Sequence, residues 1–229
     1  MSEECIICKA PLEYLESSIP MTCEICHQTV QSRARCVQGH FVCDQCHTRG
    51  MDAIFSVCLQ DGSDRPVEIL EKMMSLPFCH MHGPEHHVMV GAALLTACHH
   101  AGGMFDLHDA LSEISRRGQQ VPGGACGYWG ACGAGISTGM YISIVTKATP
   151  LAEEPWGLAN QMTASALAAI GKHGGPRCCK RNAYLAILEA CRFTEEKLGI
   201  RMDAGTIRCS RSSLNRQCLQ ADCPFYQGK

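Results

Sequence analysis

The chain has 229 residues, 46% of them apolar, and a formal net charge of -2 at pH 7. This length supports one sizeable core with a small appendage, and the nearly neutral charge disfavours a nucleic-acid-binding surface, which normally carries a basic excess. No stretch reaches the about 20 uninterrupted apolar residues of a membrane helix, and the first residues lack the basic and apolar regions of a signal peptide. We therefore expect a cytoplasmic protein that binds no membrane.

Eighteen cysteines are the outstanding feature of the composition. Without an export signal, metal ligands and reactive thiols explain them better than a secreted disulfide framework does. Thiolates and iron–sulfur clusters are easily oxidised, so this composition suits an anaerobic host. The spacing of the cysteines predicts a zinc-binding module over residues 1–62 and a helical core over residues 63–229, with a short cysteine-rich segment from about residue 202.

Four pairs of ligand residues in the first module indicate two zinc sites. A Cys-x-x-Cys pair places two thiolates on one tight turn, and two such pairs complete a tetrahedral site. The pairs can interleave, first with third and second with fourth, as in RING-like cross-brace fingers, or follow one another as two ribbons. Zinc would stabilise a module of this size, which would then dock a protein partner. The predicted ligands are Cys5, Cys8, Cys23, Cys26, Cys36, His40, Cys43 and Cys46.

Apolar residues recur at helical spacing through most of the remaining chain, where strand signals are few. Prolines stand at the start of several of these stretches and glycines beyond their ends, as is typical of helix boundaries. The fold class that follows is mainly α, a helical bundle. The predicted helices cover residues 66–76, 84–101, 105–116, 136–145, 156–170 and 176–198.

A glycine-rich stretch over residues 123–135 carries Cys126 and Cys132 directly before one of these helices. Glycine lets backbone N–H groups approach a bound group closely, and the positive potential of a helix N-terminus favours thiolate over thiol. The pattern predicts cysteines prepared for redox chemistry, metal ligation or nucleophilic attack. Tight packing of small buried cysteines is the alternative.

Two further helix starts carry residues able to bind metal or transfer protons. His82, Glu85 and His86 lie just before and within one predicted first turn, and such groups ligate metals or move protons near neutral pH. Cys178 and Cys179 lie in another first turn beside basic residues, which should lower a thiol pKa. Adjacent helical side chains point about 100° apart, so only one of these two cysteines should enter a given site.

The last segment carries Cys209, Cys218 and Cys223, and the last of these is followed by Pro224. A Cys-Pro step recurs in iron–sulfur-binding sequences, where thiolates hold the cluster. Three cysteines leave one cluster position for another residue or for substrate. A zinc site that borrows one cysteine from the vicinal pair is the competing interpretation.

The core from about residue 82 to 191 resembles the C-GCAxxG-C-C family of redox-active proteins. The resemblance lies in Cys132-Gly133-Ala134, in the preceding helix at 88–100 and in Gly-Gly-x-x-Cys-Cys at 174–179, while the first cysteine of that family falls near Gly91. This resemblance implies a redox-active thiol set.

Nearly everything after Pro66 is similar to an uncharacterised cysteine-rich domain family of anaerobic bacteria and archaea, sometimes joined to methyltransferase-like domains. This similarity implies a redox or metal site without naming a substrate. The recurring pieces are the segment 82–87, the Cys126/Cys132 loop, the segment 177–180 and Cys223-Pro224-Phe225.

Two functions of different classes fit these observations. The first is a metal- or iron–sulfur-dependent enzyme of the oxidoreductase or sulfur-transfer type, with the three helix starts forming one composite site for a small-molecule or sulfur-carrying substrate. The alternative is a non-catalytic zinc-binding adaptor that recruits a protein partner and senses metal or redox state, accessory to a methyltransferase. A nucleic-acid-binding zinc protein is disfavoured by the charge balance.

Overall fold

The computed structural model of the protein describes residues 5, 7–8, 10–24, 26–47 and 51–228. It forms two compact units, Met1–Arg49 and Gly50–Lys229. The sequence pattern places the boundary later, at residue 62. The division falls earlier because Ile54 and Cys58 are completely buried in the core of the second unit.

The N-terminal unit is built on an antiparallel hairpin of strands β1 (Leu12–Thr22) and β2 (Thr29–Cys36), followed by the short helix α1 (Asp44–His47). Most residues of both strands are exposed or half-buried, so the apolar alternation that would signal a strand is weak. Its small buried cluster consists of Met21, Cys23, Phe41, Cys43 and Cys46. Cysteines predicted as ligands therefore make up much of this core.

The second unit is a bundle of α-helices, which confirms the predicted fold class. Each predicted helix has a counterpart, and α2 and the short α6 are additional. Two short 3₁₀ turns, Ser212–Leu214 and Gln220–Asp222, lie in the C-terminal segment. The helices are α2 (Met51–Gln60), α3 (Pro66–Met74), α4 (His86–His100), α5 (Leu107–Gly118), α6 (Ala125–Tyr128), α7 (Gly133–Val145), α8 (Glu154–Lys172) and α9 (Cys179–Leu198).

Helix α4 is the centre of this bundle. Its residues from Val88 to Cys98 are all buried, and it packs on α2, α3, α5, α7 and α9. A helix that is apolar on all sides needs such cover. At Gly91 a Cβ atom would lie 2.6 Å from the Ile114 side chain and 2.9 Å from Ser137 Oγ, so this position has no room for a side chain. The first cysteine of the C-GCAxxG-C-C pattern would fall near this position.

No helix in the described part of the chain is long and apolar enough to cross a membrane. Of the two longest helices, α8 buries one face against its neighbours, whereas the first half of α9 is buried on all sides.

Close approach between α7 and α8 depends on Gly139. A Cβ atom there would collide with the Thr163 side chain and lie 2.9 Å from the carbonyl oxygen of Ala159. The backbone oxygen cannot move away without disturbing α8, so glycine is required at this crossing.

We expect Gly139→Ala to lower the free energy of unfolding by about 1–3 kcal/mol through overpacking. The matched control is Gly171→Ala in α8, where an added Cβ meets nothing within 4 Å; it should raise stability by up to about 1 kcal/mol through helix propensity. Denaturant unfolding followed by fluorescence reports on this unit, because Trp129 and Trp156 both belong to it. Equal stability of the two variants would contradict the packing argument.

Candidate functional site

Two groups of four residues in the N-terminal unit could each hold a metal ion, because their ligand atoms lie within 4.8 Å of one another. They follow the interleaved pairing and not the sequential one. The first group joins the first and third ligand pairs, and the second group joins the second and fourth. The groups are Cys5, Cys8, Cys36 and His40, and Cys23, Cys26, Cys43 and Cys46.

The hairpin separates these two groups. Cys36 ends β2 opposite the start of β1, whereas Cys23 and Cys26 lie in the loop that joins the strands at the other end. The chain after β2 returns to this loop, where the Glu24 amide donates to the Phe41 carbonyl at 2.9 Å. The length of the hairpin therefore keeps the two groups apart.

Distances within both groups suit a single tetrahedral ion. Cys8 Sγ lies 3.4 Å from Cys36 Sγ and 3.2 Å from His40 Nδ1. Cys26 Sγ lies 3.6 Å from Cys43 Sγ. Sulfur atoms bound to one zinc ion at about 2.3 Å would be about 3.8 Å apart. The donor set fits zinc in number, chemistry and spacing.

In the helical unit, a buried ammonium organises the segment before α4. Lys180, which is 1% exposed, donates from Nζ to Cys79 Sγ at 3.0 Å, to the His80 carbonyl at 2.8 Å and to His86 Nε2 at 3.0 Å. His86 Nδ1 lies 3.0 Å from the Gly83 carbonyl, which assigns the proton to Nδ1 and leaves Nε2 as the acceptor from lysine.

Glu85 adds a buried carboxyl group beside His86. Glu85 is fully buried, and its Oε1 accepts from the His80 amide at 2.9 Å. A Cβ atom at Gly83 would collide with this carboxylate, so the glycine makes room for it. Cys79, Glu85 and His86 could also hold a metal ion; here the lysine ammonium makes the contacts with sulfur and imidazole that a metal would make.

Cys132 and Cys179 lie at the starts of α7 and α9, as their sequence positions predict. Cys132 Sγ accepts from Asn182 Nδ2 at 3.4 Å and from the backbone N–H groups of Ala134 and Gly135. Cys179 accepts from the backbone N–H of Gly83. Cys132 thus receives donors from the N-terminus of its own helix, whereas the donor to Cys179 comes from the segment before α4.

The expected lowering of their pKa is wrong. Burial raises the pKa of the Cys132, Cys178 and Cys179 thiols, and this outweighs the N–H donors and the nearby arginines, which act in the opposite direction. Desolvation disfavours the charged form of any group removed from water. These cysteines are therefore thiols unless metal binding displaces the proton or a base removes it.

Five of the predicted catalytic residues form one neighbourhood, which we call the thiol–histidine site: Cys126, Cys132, Cys179, Glu85 and His86. Cys179 interacts electrostatically with Cys132 and Glu85, and Cys126 does so with Cys132. Glu85 Oε1 lies 3.7 Å from His86 Nδ1. The three segments separated in sequence therefore supply one polar neighbourhood at the edge of an apolar core.

His82 and Cys178 lie elsewhere, although the sequence pattern assigns them to the same catalytic set. His82 Nε2 is 3.3 Å from Asn215 Oδ1, and Asn215 Nδ2 donates to Cys178 Sγ at 3.5 Å. Both side chains therefore face the C-terminal segment. The vicinal cysteines point to different places, and Cys179 is the one that enters the thiol–histidine site.

The C-terminal segment borders a partly open cavity, which we call the C-terminal cavity. The three cysteines predicted to bind a cofactor all line it, together with Cys178 from the residue preceding α9. The lining residues are Met81, Cys178, Arg181, Tyr184, Cys209, Arg211, Ser212, Asn215, Cys218, Leu219, Cys223 and Phe225.

Three residues that support the thiol–histidine site are missing from the sequence-based set: Cys79, Lys180 and Asn182. Cys79 carries a signal, since it stands just before the histidine cluster. Lysine and asparagine in a helical first turn usually face solvent, so nothing in the sequence marks Lys180 or Asn182 as buried.

Burial and the positive charge of Lys180 lower the pKa of His86 to about 3, against an opposing effect of Glu85 and a small further lowering by His87. Unfolded His86 would titrate near 6.5, so the unfolded state binds the proton more readily between these values. We expect the unfolding free energy to fall as pH drops from 6.5 towards 3, by up to about 1.4 kcal/mol per pH unit from this residue. Tryptophan fluorescence unfolding curves at several pH values measure it.

His86→Gln should flatten this dependence, because an amide can keep both hydrogen bonds without titrating. The matched control is His108→Gln on α5, whose side chain is 72% exposed; it should follow the parent protein. An unchanged slope in the His86 variant would refute the assignment.

Comparison with curated proteins and with solved structures returned no match. The profile of DUF5714, described as a family of unknown function, matches residues 54–226. This range contains the thiol–histidine site and the C-terminal cavity and leaves out the N-terminal metal groups. Because the match covers well over half of the chain, the protein belongs to the DUF5714 family.

Proposed function

We propose that the protein is a metal-dependent redox or sulfur-handling protein that works through the thiol–histidine site. Its proposed cofactors are zinc in the N-terminal unit and an iron–sulfur cluster on the C-terminal cysteines. The proposed setting is a reducing cytoplasm in an anaerobic host, where cysteines stay out of disulfide bonds.

The observation that carries this proposal is the meeting of Cys132, Cys179, Glu85 and His86 beside the buried ammonium of Lys180. Chance packing seldom gathers two thiols, a carboxylate, an imidazole and an ammonium in one place, because each charged group costs free energy to bury. Clustered groups of this kind are typical of functional sites.

The chemistry open to these groups follows from their protonation. Cys132 and Cys179 carry their protons at neutral pH, since burial raises the pKa of both. His86 is neutral, and its Nε2 accepts a hydrogen bond from Lys180. After one thiol loses its proton, the thiolate could attack a sulfur atom of a sulfur-carrying substrate, and the rest of the substrate would leave as a thiolate. If the second thiol then displaces the transferred group, the two cysteines are oxidised to a disulfide and the substrate sulfur is reduced.

A docking role for the N-terminal unit is the second proposal, and exposed apolar side chains favour it. Ile7 and Tyr14 are each 44% exposed, Val37 is 48% exposed and Val30 is 37% exposed. Contiguous exposed apolar side chains mark protein interaction surfaces; here Tyr14 and Val37 lie at one end of the hairpin and Val30 at the other. The partner would be a protein, in keeping with the adaptor alternative.

For the N-terminal unit we expect about two zinc ions per chain, bound through thiolates. His40→Ala should lose about one of them, since it removes a ligand of the first group. The matched control is His27→Ala, an exposed histidine outside both groups that should keep full zinc. Elemental analysis of desalted protein gives the count, and equal zinc in the two variants would contradict the assignment.

For the thiol–histidine site we expect modification of Cys132 or Cys179 when the anaerobic protein meets polysulfide or oxidised glutathione. In the first case the thiolate takes one sulfur atom and the polysulfide leaves one sulfur shorter; in the second, one glutathione thiolate leaves as a disulfide forms. Peptide mass spectrometry locates either product.

Cys58 and Cys98, completely buried in the apolar core, serve as internal controls and should remain unmodified. Neither product at Cys132 or Cys179, in protein whose fluorescence shows a folded helical unit, would overturn the proposed function. Equal labelling of the core cysteines would also overturn it, because the reaction would then report unfolding.

A further inference from the structure

The C-terminal segment has little regular structure of its own to hold it in place. Between Arg201 and Tyr226 the chain forms two short 3₁₀ turns and one isolated bridge between Cys209 and Tyr226. It is anchored by Met202, Cys223 and Phe225, which are buried in the core of the helical unit, and the Phe225 ring lies 5.2 Å from that of Tyr184. A segment of this kind gains stability when its cysteines bind a metal.

Four thiols from two distant parts of the sequence line the C-terminal cavity. Cys209, Cys218 and Cys223 come from the segment itself, and Cys178 comes from the start of α9. Cys179 is not a candidate for a fifth, because its sulfur accepts from the Gly83 amide and faces the thiol–histidine site. The fourth position that the sequence pattern leaves open is thus filled by Cys178.

The spread of these sulfur atoms disfavours a single metal ion. In the two N-terminal groups every ligand atom lies within 4.8 Å of the others, whereas the four cavity cysteines do not meet that condition. One zinc ion would bring its sulfur ligands to about 3.8 Å from one another. A multi-iron cluster binds each thiolate to a different iron atom and so needs sulfurs further apart.

Hydrogen-bond donors already point at the sulfur atoms. Cys178 Sγ accepts from the Arg181 amide and from Asn215 Nδ2, each at 3.5 Å, and Cys218 Sγ accepts from the Gln220 amide at 3.3 Å. Cys209 accepts from a backbone amide as well. Donors to the ligand sulfurs stabilise bound thiolates and tune the potential of iron–sulfur clusters.

Arg181 supplies positive charge at the cavity wall, because its Nη2 is held by a neutral group, the Gly174 carbonyl, at 2.7 Å. Arg211 also lines the cavity, but its Nη1 is paired with Glu71 Oε2 at 2.6 Å, which offsets its charge. An iron–sulfur cluster with four thiolate ligands carries net negative charge, which fixed cations offset. A neutral or apolar cavity would offer no such compensation.

We infer that Cys178, Cys209, Cys218 and Cys223 bind one four-iron, four-sulfide cluster in the C-terminal cavity. The inference rests on the proposed function for its iron chemistry and adds the ligand set and the size of the cluster. Binding releases the four thiol protons. Assembly from ferric iron and sulfide takes up two electrons per cluster, which dithiothreitol supplies.

The test uses the full chain, purified without oxygen and reconstituted with ferric iron, sulfide and dithiothreitol. The expected result is about four iron and four sulfide per chain and a broad absorption near about 400 nm that bleaches with dithionite. Cys178→Ser should reduce the bound iron and the absorption at least about fivefold, since it removes one of four ligands. Cys179→Ser, its neighbour in the sequence, should retain both.

A second measurement on the parent protein does not depend on the folding of any variant. In the reconstituted chain, the four cavity cysteines should be protected together from alkylation, and removal of iron by a chelator should expose all four. Protection of Cys209, Cys218 and Cys223 without Cys178 would overturn the ligand set. Absence of iron, or a third zinc ion at these four thiols, would overturn the cluster.

The outcomes separate this inference from the proposed function. A cluster on the four cavity thiols with no modification of Cys132 or Cys179 upholds the inference and overturns the proposed chemistry at the thiol–histidine site. Modification of those two thiols in a chain that binds no iron upholds that chemistry and overturns the cluster.

Discussion

Lys180 holds the segment before α4 against the first turn of α9 through contacts of one buried ammonium with Cys79 Sγ, the His80 carbonyl and His86 Nε2. These three hydrogen bonds offset part of the cost of burying the charge. These contacts hold the start of α9 against the segment before α4. Both sites of the helical unit are built around that helix start.

At this helix start, two neighbouring cysteines serve two different sites. Cys178 extends into the C-terminal cavity, and Cys179 faces Cys132 and Glu85. Because burial raises the pKa of all three thiols, a helix N-terminus alone does not activate them. Desolvation outweighs hydrogen bonding and keeps these thiols protonated, so we expect metal binding or reaction with a sulfur electrophile to be accompanied by loss of the thiol proton.

Elements that depend on local sequence patterns could be predicted, and those that depend on contacts between distant residues could not. The helices α3, α4, α5, α7, α8 and α9 are visible as apolar periodicity, which is a local pattern. The hairpin of β1 and β2 is not, since most of its side chains are exposed or half-buried. Helix α2 shows the same limit. Its cysteine-rich surroundings in the sequence indicate the metal module, but Ile54 and Cys58 are buried among distant helices and assign it to the bundle.

The sequence by itself determined that this is a mainly α protein with a cysteine-rich module ahead of it, and it identified most of the residues that could bind metal. Tertiary structure decided how those residues group: the interleaved pairing in the N-terminal unit, the division of Cys178 from Cys179, and the burial of Lys180. The physical reason is that residue spacing reports only on contacts between residues that are close in the sequence. Ligand geometry and desolvation depend on residues such as Cys79 and Lys180, which lie far apart in sequence and meet only after folding.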